Sequence, residues 1–126
     1  ALEQTFKQAI VVQEFIPEVQ KGDMRVLLLN GDVAGAFLRV PQETSVIANL
    51  AQGGALQATE ITHTQTQIIT QISPWLKKQD IAICGIDIIG DYLTEINITS
   101  PMGFKEIDEL YETSTASDFF EWVLSV

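Results

Sequence analysis

Hydrophobic and polar residues form short apolar runs separated by turn residues, a pattern typical of strands joined by hairpins. The runs 9–16 and 24–29 are rich in Val, Ile and Leu and predict two strands. Residues 30–32 read Asn-Gly-Asp, and Asn-Gly accepts the positive φ angles that a tight hairpin turn requires. The run 33–40 is therefore predicted to return as the partner strand of the second run.

A helix and a second hairpin are predicted further along the chain. From residue 62 to residue 79, apolar residues recur every three or four positions, which favours an amphipathic helix. The runs 81–89 and 92–98 lie on either side of a Gly-Asp pair at 90–91 and predict two more strands. Adjacent strands are thus joined mostly by tight turns, so the sheet is expected to be largely antiparallel.

The remaining segments complete a prediction of one α+β domain over residues 1–126, with helices flanking the sheet. Residues 2–8 read as the end of a helix and 103–112 as a short helix, and Thr115 or Ser117 is placed to cap a final helix. The segment 41–62 shows no clear period. A long segment without regular structure in a compact domain is usually a functional loop or lid.

Composition narrows the class of partner and the compartment. A net charge of −10 argues against nucleic acid or an anionic membrane surface, since both require a basic face. The apolar runs are too short to span a bilayer, and Cys84, the single cysteine, is expected to be a buried, inert thiol. These features fit a cytoplasmic protein. The start of the chain, without Met or an obvious cap, suggests a piece of a longer protein.

A row of polar residues in the second hairpin is the strongest candidate for chemistry. Glu95, Asn97 and Thr99 alternate along one strand and therefore share a face, and Asp87 lies among isoleucines on the preceding strand. Carboxylates with a carboxamide oxygen suit a hard cation such as Mg²⁺. The alternative interpretation is a solvated polar face, with Asp87 held by an arginine.

The metal hypothesis requires an irregular hairpin. A plain two-residue turn at 90–91 pairs Asp87 with Thr94, which places Asp87 and Glu95 on opposite faces of the sheet. A β-bulge or a three-residue loop would bring the two carboxylates to one face.

Two arginines stand out because the chain has only 7 basic residues. Arg25 and Arg39 lie on opposite arms of the first predicted hairpin. They are either surface residues with buried stems or ligands of a phosphate or carboxylate. The stretch 49–54 reads Asn-Leu-Ala-Gln-Gly-Gly, whose glycines would let backbone N–H groups approach a ligand. His63 is expected on a helix surface, without a role.

Three segments together resemble the C-terminal part of bacterial glutathione synthetase, a family of the ATP-grasp superfamily. They are residues 13–32, 39–54 and 85–101, of which "DIIGDYLTEINITSP" is the most specific. The resemblance covers most of the chain and implies the C-terminal ATP-grasp lobe of a longer parent. The N-terminal substrate domain of the family and its first ATP-grasp lobe, with the phosphate-binding lysines, are expected to belong to the parent outside these residues.

The resemblance implies roles for residues in matched positions. ATP with Mg²⁺ or Mn²⁺ is the expected cofactor pair, Asp23 lies near the ribose, and Arg25 and Arg39 lie near the phosphates and the acyl group. The expected metal ligands are Asp87, Glu95 and Asn97. The expected adenine hinge is Gln13, Glu14, Phe15 and Ile16. The expected glycine-rich lid includes Asn49, Gly53 and Gly54. The expected substrate-lining residues are Thr99, Ser100 and Pro101.

The implied reaction is ATP-dependent peptide-bond formation. ATP phosphorylates the cysteinyl carboxylate of γ-glutamylcysteine, and the amine of glycine then attacks the acyl phosphate. The parent is expected to be a homo-oligomer with small-molecule substrates, and the isolated chain is expected to be inactive. The loop carries Ile47 and Ala48 where the family usually has an arginine. This departure keeps open another ATP-grasp carboxylate–amine ligase, or a degenerate nucleotide-binding domain without catalysis.

Overall fold

The computed structural model describes residues 9–41 and 54–126. The predicted helix at 2–8 and most of the predicted lid lie outside these residues. After a short 3-10 helix at Pro17–Lys21, the elements in chain order are β1 Asp23–Leu29, β2 Asp32–Val40, β3 Ala55–Ala58, α1 His63–Lys78, β4 Ile83–Ile89, β5 Tyr92–Asn97, α2 Phe104–Tyr111 and α3 Thr115–Ser125.

In the described part of the chain, five strands form one sheet in the order β3-β2-β1-β4-β5. Every neighbouring pair is antiparallel, so the predicted α+β class with an antiparallel sheet is confirmed. The β1–β2 turn is the predicted one, because Asn30 and Gly31 have φ angles of 50° and 77°. Both hairpins meet at the sheet centre, where β1 pairs with β4.

One face of the sheet packs against α1 and forms the larger core. The N-cap of the helix is Thr62, the first residue of the predicted helical pattern. Its hydroxyl accepts from the backbone N–H of Gln65, while the Gln65 side chain accepts from the backbone N–H of Thr62. Its apolar stripe covers the middle strands. The buried residues of this core are Met24, Val26, Leu28, Ala36, Ile69, Ile72, Leu76, Cys84, Ile86 and Ile88. The buried thiol expected at Cys84 is confirmed.

The opposite face is divided between a smaller core and a polar region. Ile107 of α2 packs with Leu27 and Phe37, and all three are buried. The side chain of Ile107 lies directly over Gly35, where an added Cβ would come within 2.7 Å of it. The small residue therefore lets α2 lie close to the sheet. The rest of this face, toward the start of β1, carries charged side chains.

The predicted strand over 9–16 is wrong. These residues pair with no strand in the described part of the chain, and Val11 is 87% exposed and Val12 76%. Their β-branched composition does not produce a strand without a neighbouring edge to pair with. A strand was conversely missed at β3, whose sequence Ala-Leu-Gln-Ala has weak β propensity but pairs with β2.

The predicted caps of the last helix are also wrong. The N-cap of α3 is Ser114, which makes no side-chain capping bond to any residue that the structure describes, and Thr115 is already the first helical residue. The backbone N–H of Thr115 instead donates to Asp108 Oδ1 at 2.8 Å, so a carboxylate of α2 performs the capping. Among the described residues, α1, α2 and α3 are each too short or too polar to cross a bilayer.

Candidate functional site

The β4–β5 hairpin contains the bulge that the metal hypothesis requires. Ile88 pairs with Leu93, but Asp87 pairs with Glu95, so Thr94 is the extra residue. The Thr94 hydroxyl donates to the Asp87 backbone carbonyl at 3.1 Å, which fastens the bulge. Directly paired residues point to the same face, so the two carboxylates lie side by side.

Asn97 extends this row by one pleat. It pairs with Gly85, two residues before Asp87, and thus shares the face of both carboxylates. Its side-chain oxygen accepts from the backbone N–H groups of Thr99 at 3.2 Å and Ser100 at 3.4 Å. In residues 9–41 and 54–126, no three His, Cys, Asp or Glu side chains form a metal-binding group. A metal here would need the Asn97 oxygen as its third donor, in exchange for one of these two backbone bonds, and the hard-oxygen preference of Mg²⁺ suits such a donor.

Four side chains from β1, β2 and β4 form the charge cluster of this face: Asp23, Arg25, Arg39 and Asp87. Register explains the assembly, because Asp23 pairs with Arg39 and Arg25 pairs with Asp87. Arg25 and Asp87 are each 5% exposed. Ionic side chains buried this deeply are tolerated only when they are paired, and alternating charges across three strands provide that pairing.

Arg25 is engaged at each of its three nitrogens. Nε and Nη2 donate to the two carboxylate oxygens of Asp87, the second at 3.0 Å, and Nη1 donates to the Met102 carbonyl at 3.2 Å. Burial disfavours the charge of Arg25, but its bonds to Asp87 and the nearby charges raise its pKa. The part of the alternative interpretation in which an arginine holds Asp87 is therefore confirmed, but Asp87 is buried and not part of a solvated face.

Arg39 joins the two carboxylates of the charge cluster. Its Nη2 contacts Asp23 Oδ2 and also lies 2.9 Å from Asp87 Oδ2. Burial opposes ionisation of Asp87, but the Arg25 hydrogen bonds and the Arg39 charge hold its pKa below the usual range. Burial raises the pKa of Asp23 to about 6, despite the opposing charge of Arg39. The two neighbouring carboxylates thus differ in proton affinity.

Two buried atoms of the charge cluster have no hydrogen-bond partner among the described residues. They are Asp23 Oδ1, an acceptor, and Arg39 Nε, a donor. A buried polar atom without a partner costs about 1–3 kcal/mol, so these positions favour an additional polar group beside the cluster.

A cleft of about 680 Å³ lies at the turn end of the same hairpin. The structure brings all four predicted hinge residues, Gln13 to Ile16, to one side of this cleft. The other side is formed by the hairpin residues Ile89, Tyr92, Leu93 and Thr94. Asp23, expected near a ribose, lies with the charge cluster, two residues from the end of the 3-10 helix that borders the cleft.

Of the other predicted site residues, some lie outside the described part of the chain and the rest lie near β3 or after β5. Asn49 and Gly53 lie outside the described residues, and Gly54 lies immediately before β3. Thr99 and Ser100 are exposed, and Pro101 is half-buried. They follow directly on Asn97, so the predicted substrate segment adjoins the predicted metal ligands.

Sequence reasoning missed two contributors to the site. Tyr92 is 61% exposed and lines the cleft, but a strand tyrosine carries no specific signal. Gln65 is buried and donates to the Gly90 carbonyl at 2.9 Å, which ties the start of α1 to the β4–β5 turn. The spacing Thr62-x-x-Gln65 is a capping-box signal that could have identified this residue.

A family model identifies the class of domain to which this antiparallel sheet belongs, an ATP-grasp domain. Residues 1–112 match the model described as the ATP-grasp domain of prokaryotic glutathione synthetase. The chain belongs to this prokaryotic glutathione synthetase family.

Curated relatives agree with this assignment. The glutathione synthetase of Agrobacterium fabrum is 41% identical over 114 residues, which cover 90% of this chain and 36% of the relative. That of Nostoc sp. is 42% identical over 114 residues, covering 90% of this chain and 35% of the relative. That of Thermosynechococcus vestitus is 40% identical over 116 residues, covering 92% of this chain and 36% of the relative. The chain thus spans little more than a third of the length of the relatives it matches.

Proposed function

We propose that this chain supplies the metal-binding floor and part of the nucleotide site of an ATP- and Mg²⁺-dependent ligase that joins γ-glutamylcysteine to glycine. The observation that carries the proposal is the bulged β4–β5 hairpin, which puts Asp87 and Glu95 on one face beside Asn97. The cleft at the turn end of the same hairpin would take the nucleotide base.

The cleft has the properties that a purine requires. Phe15, Tyr92 and Leu93 offer exposed apolar surface, and the residues from Gln13 to Ile16 have no strand partner in the described part of the chain. The Ile16 carbonyl accepts from the backbone N–H of Val19 at 3.1 Å, and the backbone groups of Gln13 to Phe15 are available to the edge of an adenine, while the apolar side chains cover its faces. The triphosphate of a base bound there would extend along the hairpin toward Asp87 and Glu95.

The chain provides three oxygen donors suited to Mg²⁺ or Mn²⁺: Asp87, Glu95 and Asn97. Asp87 Oδ2 contacts Nη2 of both Arg25 and Arg39, whereas Oδ1 accepts from Arg25 Nε and retains one acceptor position, because a carboxylate has about four. Arg25 and Arg39 keep the Asp87 carboxylate charged and oriented. When bound, the metal would neutralise phosphate charge during phosphoryl transfer.

The atoms of the charge cluster that have no described partner suit the polar parts of the nucleotide. Asp23 Oδ1 can accept from a ribose hydroxyl, and Arg39 Nε can donate to a phosphate oxygen. Thr99, Ser100 and Pro101 would line the side of the peptide substrate. Asn49, Gly53 and Gly54 would belong to a lid that keeps water from the acyl phosphate.

In the proposed reaction, the γ-phosphoryl group passes to the cysteinyl carboxylate. The glycine amine then attacks the acyl carbon, and phosphate leaves. The chain matches only about a third of the relatives' length, so we propose that it acts as the C-terminal ATP-grasp lobe of a longer, cytoplasmic, homo-oligomeric enzyme. By itself it would not turn over.

The test uses the full-length protein that carries this chain. Phosphate release is measured with ATP, γ-glutamylcysteine and glycine, and Mn²⁺ binding is followed by electron paramagnetic resonance. Glu95→Gln should weaken Mn²⁺ binding and lower kcat at least about tenfold, because it removes one charged ligand. Glu109→Gln, the same change at an exposed carboxylate of α2, is the matched control and should change neither. Wild-type Mn²⁺ binding in Glu95→Gln would contradict the metal assignment.

A second candidate is a ligase of the same type with another acid or amine. The residue that favours it is Ile47, in place of the usual arginine of the family. Turnover with other acid–amine pairs, but not with γ-glutamylcysteine and glycine, would select it. Nucleotide binding without turnover of any pair would identify a degenerate domain.

A further inference from the structure

Gly85 lies in the middle of β4, at a point where a side chain does not fit. An added Cβ would lie 3.0 Å from Pro101 Cβ and 3.2 Å and 3.3 Å from Nη1 and Cδ of Arg25. Positive φ angles occur at four other glycines of the described chain but not at this one. Gly85 is therefore explained by close approach of other groups and not by its backbone conformation.

Arg25 is one of the two residues that pack against Gly85, where a side chain would otherwise lie. Its side chain crosses β4 at Gly85, so that two of its nitrogens reach Asp87 on the same strand. Its third nitrogen reaches past the strand to the Met102 carbonyl at 3.2 Å. The guanidinium thus links the strand that carries Asp87 to the chain that follows β5.

Pro101 is the other of these residues, and it lies in a segment held at both ends. At one end, the Asn97 side chain accepts from the backbone of Thr99 and Ser100. At the other end, Arg25 binds the Met102 carbonyl. Pro101 lies between these two anchors, against Gly85.

We propose that Arg25 is a positioning residue, which fixes the segment Thr99–Met102 relative to Asp87, and that Gly85 is required because it leaves room for this link. The inference deepens the proposed function, since it assumes that Thr99 to Pro101 line the site of the acid substrate. The resemblance implies that Arg25 lies near the phosphates and the acyl group. Three of the five N–H donors of Arg25 bind Asp87 and Met102, and its side chain is only 7% exposed, which supports the indirect role.

Gly85→Ala in the full-length protein tests the link without removing any polar group. The added methyl group should displace Pro101 and Arg25 by a few tenths of an ångström. With ¹⁵N-labelled arginine, the Nε–H resonance of Arg25, identified by its loss in Arg25→Lys, should shift and exchange faster with water. The KM for γ-glutamylcysteine should rise roughly tenfold, because small misplacements of a substrate site have effects of that order. The KM for ATP should rise less than the KM for γ-glutamylcysteine, because Arg39 still contacts Asp87.

Gly35→Ala is the matched control, because Gly35 is also a strand glycine without a positive φ. Its added Cβ would meet only Ile107 within 3.0 Å, in the smaller core. This variant should melt at a lower temperature but keep the Arg25 resonance and the KM values of the wild type. A general loss of stability would lower the active fraction and hence kcat, whereas a displaced segment raises mainly the KM for γ-glutamylcysteine.

Arg25→Lys separates charge from geometry. Lysine retains the positive charge but cannot bind both Asp87 oxygens and the Met102 carbonyl in one planar fork. We expect the same rise in the KM for γ-glutamylcysteine. An unshifted Arg25 resonance in Gly85→Ala, or a wild-type KM in Arg25→Lys, would overturn the inference. If the wild-type protein does not use γ-glutamylcysteine, the proposed function fails, and the resonance alone decides the structural link.

Discussion

Asp23 makes the stability of the fold depend on pH in an unusual direction. Burial raises its pKa from 3.8 to about 6, so the folded chain binds a proton here that the unfolded chain does not bind between these values. The contribution is fully present below about pH 3.8 and is lost as the pH rises through about 6. The free energy of unfolding should therefore increase on mild acidification, in contrast to the usual behaviour of a paired carboxylate.

The magnitude follows from the size of the shift. At 1.36 kcal/mol per pKa unit, a shift from 3.8 to about 6 corresponds to at most about 3 kcal/mol. The Asp23 side chain is 19% exposed, so solvent screens part of this, and we expect about 1–2 kcal/mol. Asp87 acts in the opposite direction, because its pKa is lowered in the folded chain. The stability that its charged form contributes is lost only as the pH falls below the usual titration range of an aspartate.

The assay compares the wild-type chain with Asp23→Asn by urea unfolding between pH 4.5 and pH 7.5, followed by tryptophan fluorescence. The asparagine keeps an acceptor for Arg39 but does not titrate. The wild-type chain should gain stability relative to the variant as the pH falls, and groups that titrate in both proteins cancel in the difference. Asp91→Asn, at an exposed turn position, controls for the loss of one negative charge. The reasoning would be refuted if the difference in free energy of unfolding between the wild-type chain and Asp23→Asn did not change with pH, or if it became smaller on acidification.

Three further predictions concern stability and are checked by urea unfolding of the chain. Ile107→Ala should cost about 2–5 kcal/mol, since Ile107 is 1% exposed at the centre of the smaller core; a loss below 1 kcal/mol would show that α2 is not packed there. Gln65→Ala should cost about 1–2 kcal/mol, because it removes the capping box and the bond to the Gly90 carbonyl. Gln71→Ala, at an exposed position of the same helix, should change the free energy of unfolding by no more than about 0.5 kcal/mol. Tyr111→Phe should cost about 0.5–1.5 kcal/mol, because the hydroxyl bonds β2 and the chain after β3; an unchanged midpoint would contradict this.

Local patterns predicted the elements whose signals are local. The Asn-Gly turn and the stripe of α1 depend on residues a few positions apart, and both are present in the structure. The failures involve distant partners. Residues 9–16 have strand composition but no described strand to pair with, and β3 has little propensity but an available edge at β2.

The candidate site shows the same division. The alternation along β5 predicted that Glu95 and Asn97 share a face, but it could not show which face, because that depends on one extra residue at Thr94. The engagement of Asp87 by two arginines depends on the register of three strands. No short sequence motif encodes the pairing of β4 with β5 or that of β1 with its two neighbours. The metal hypothesis therefore required an irregular hairpin, which the alternation of polar residues did not predict.

The two faces of the sheet give this domain a way to change its ligand during evolution. Most of the buried apolar residues lie between the sheet and α1, on the side away from the charge cluster. Substitutions in β5, in the segment after it or in the cleft can therefore alter what is bound while leaving the main core intact. Under the proposed function, a lineage of such domains would acquire new substrates without first acquiring extra stability, provided that Gly85 and Arg25 are retained.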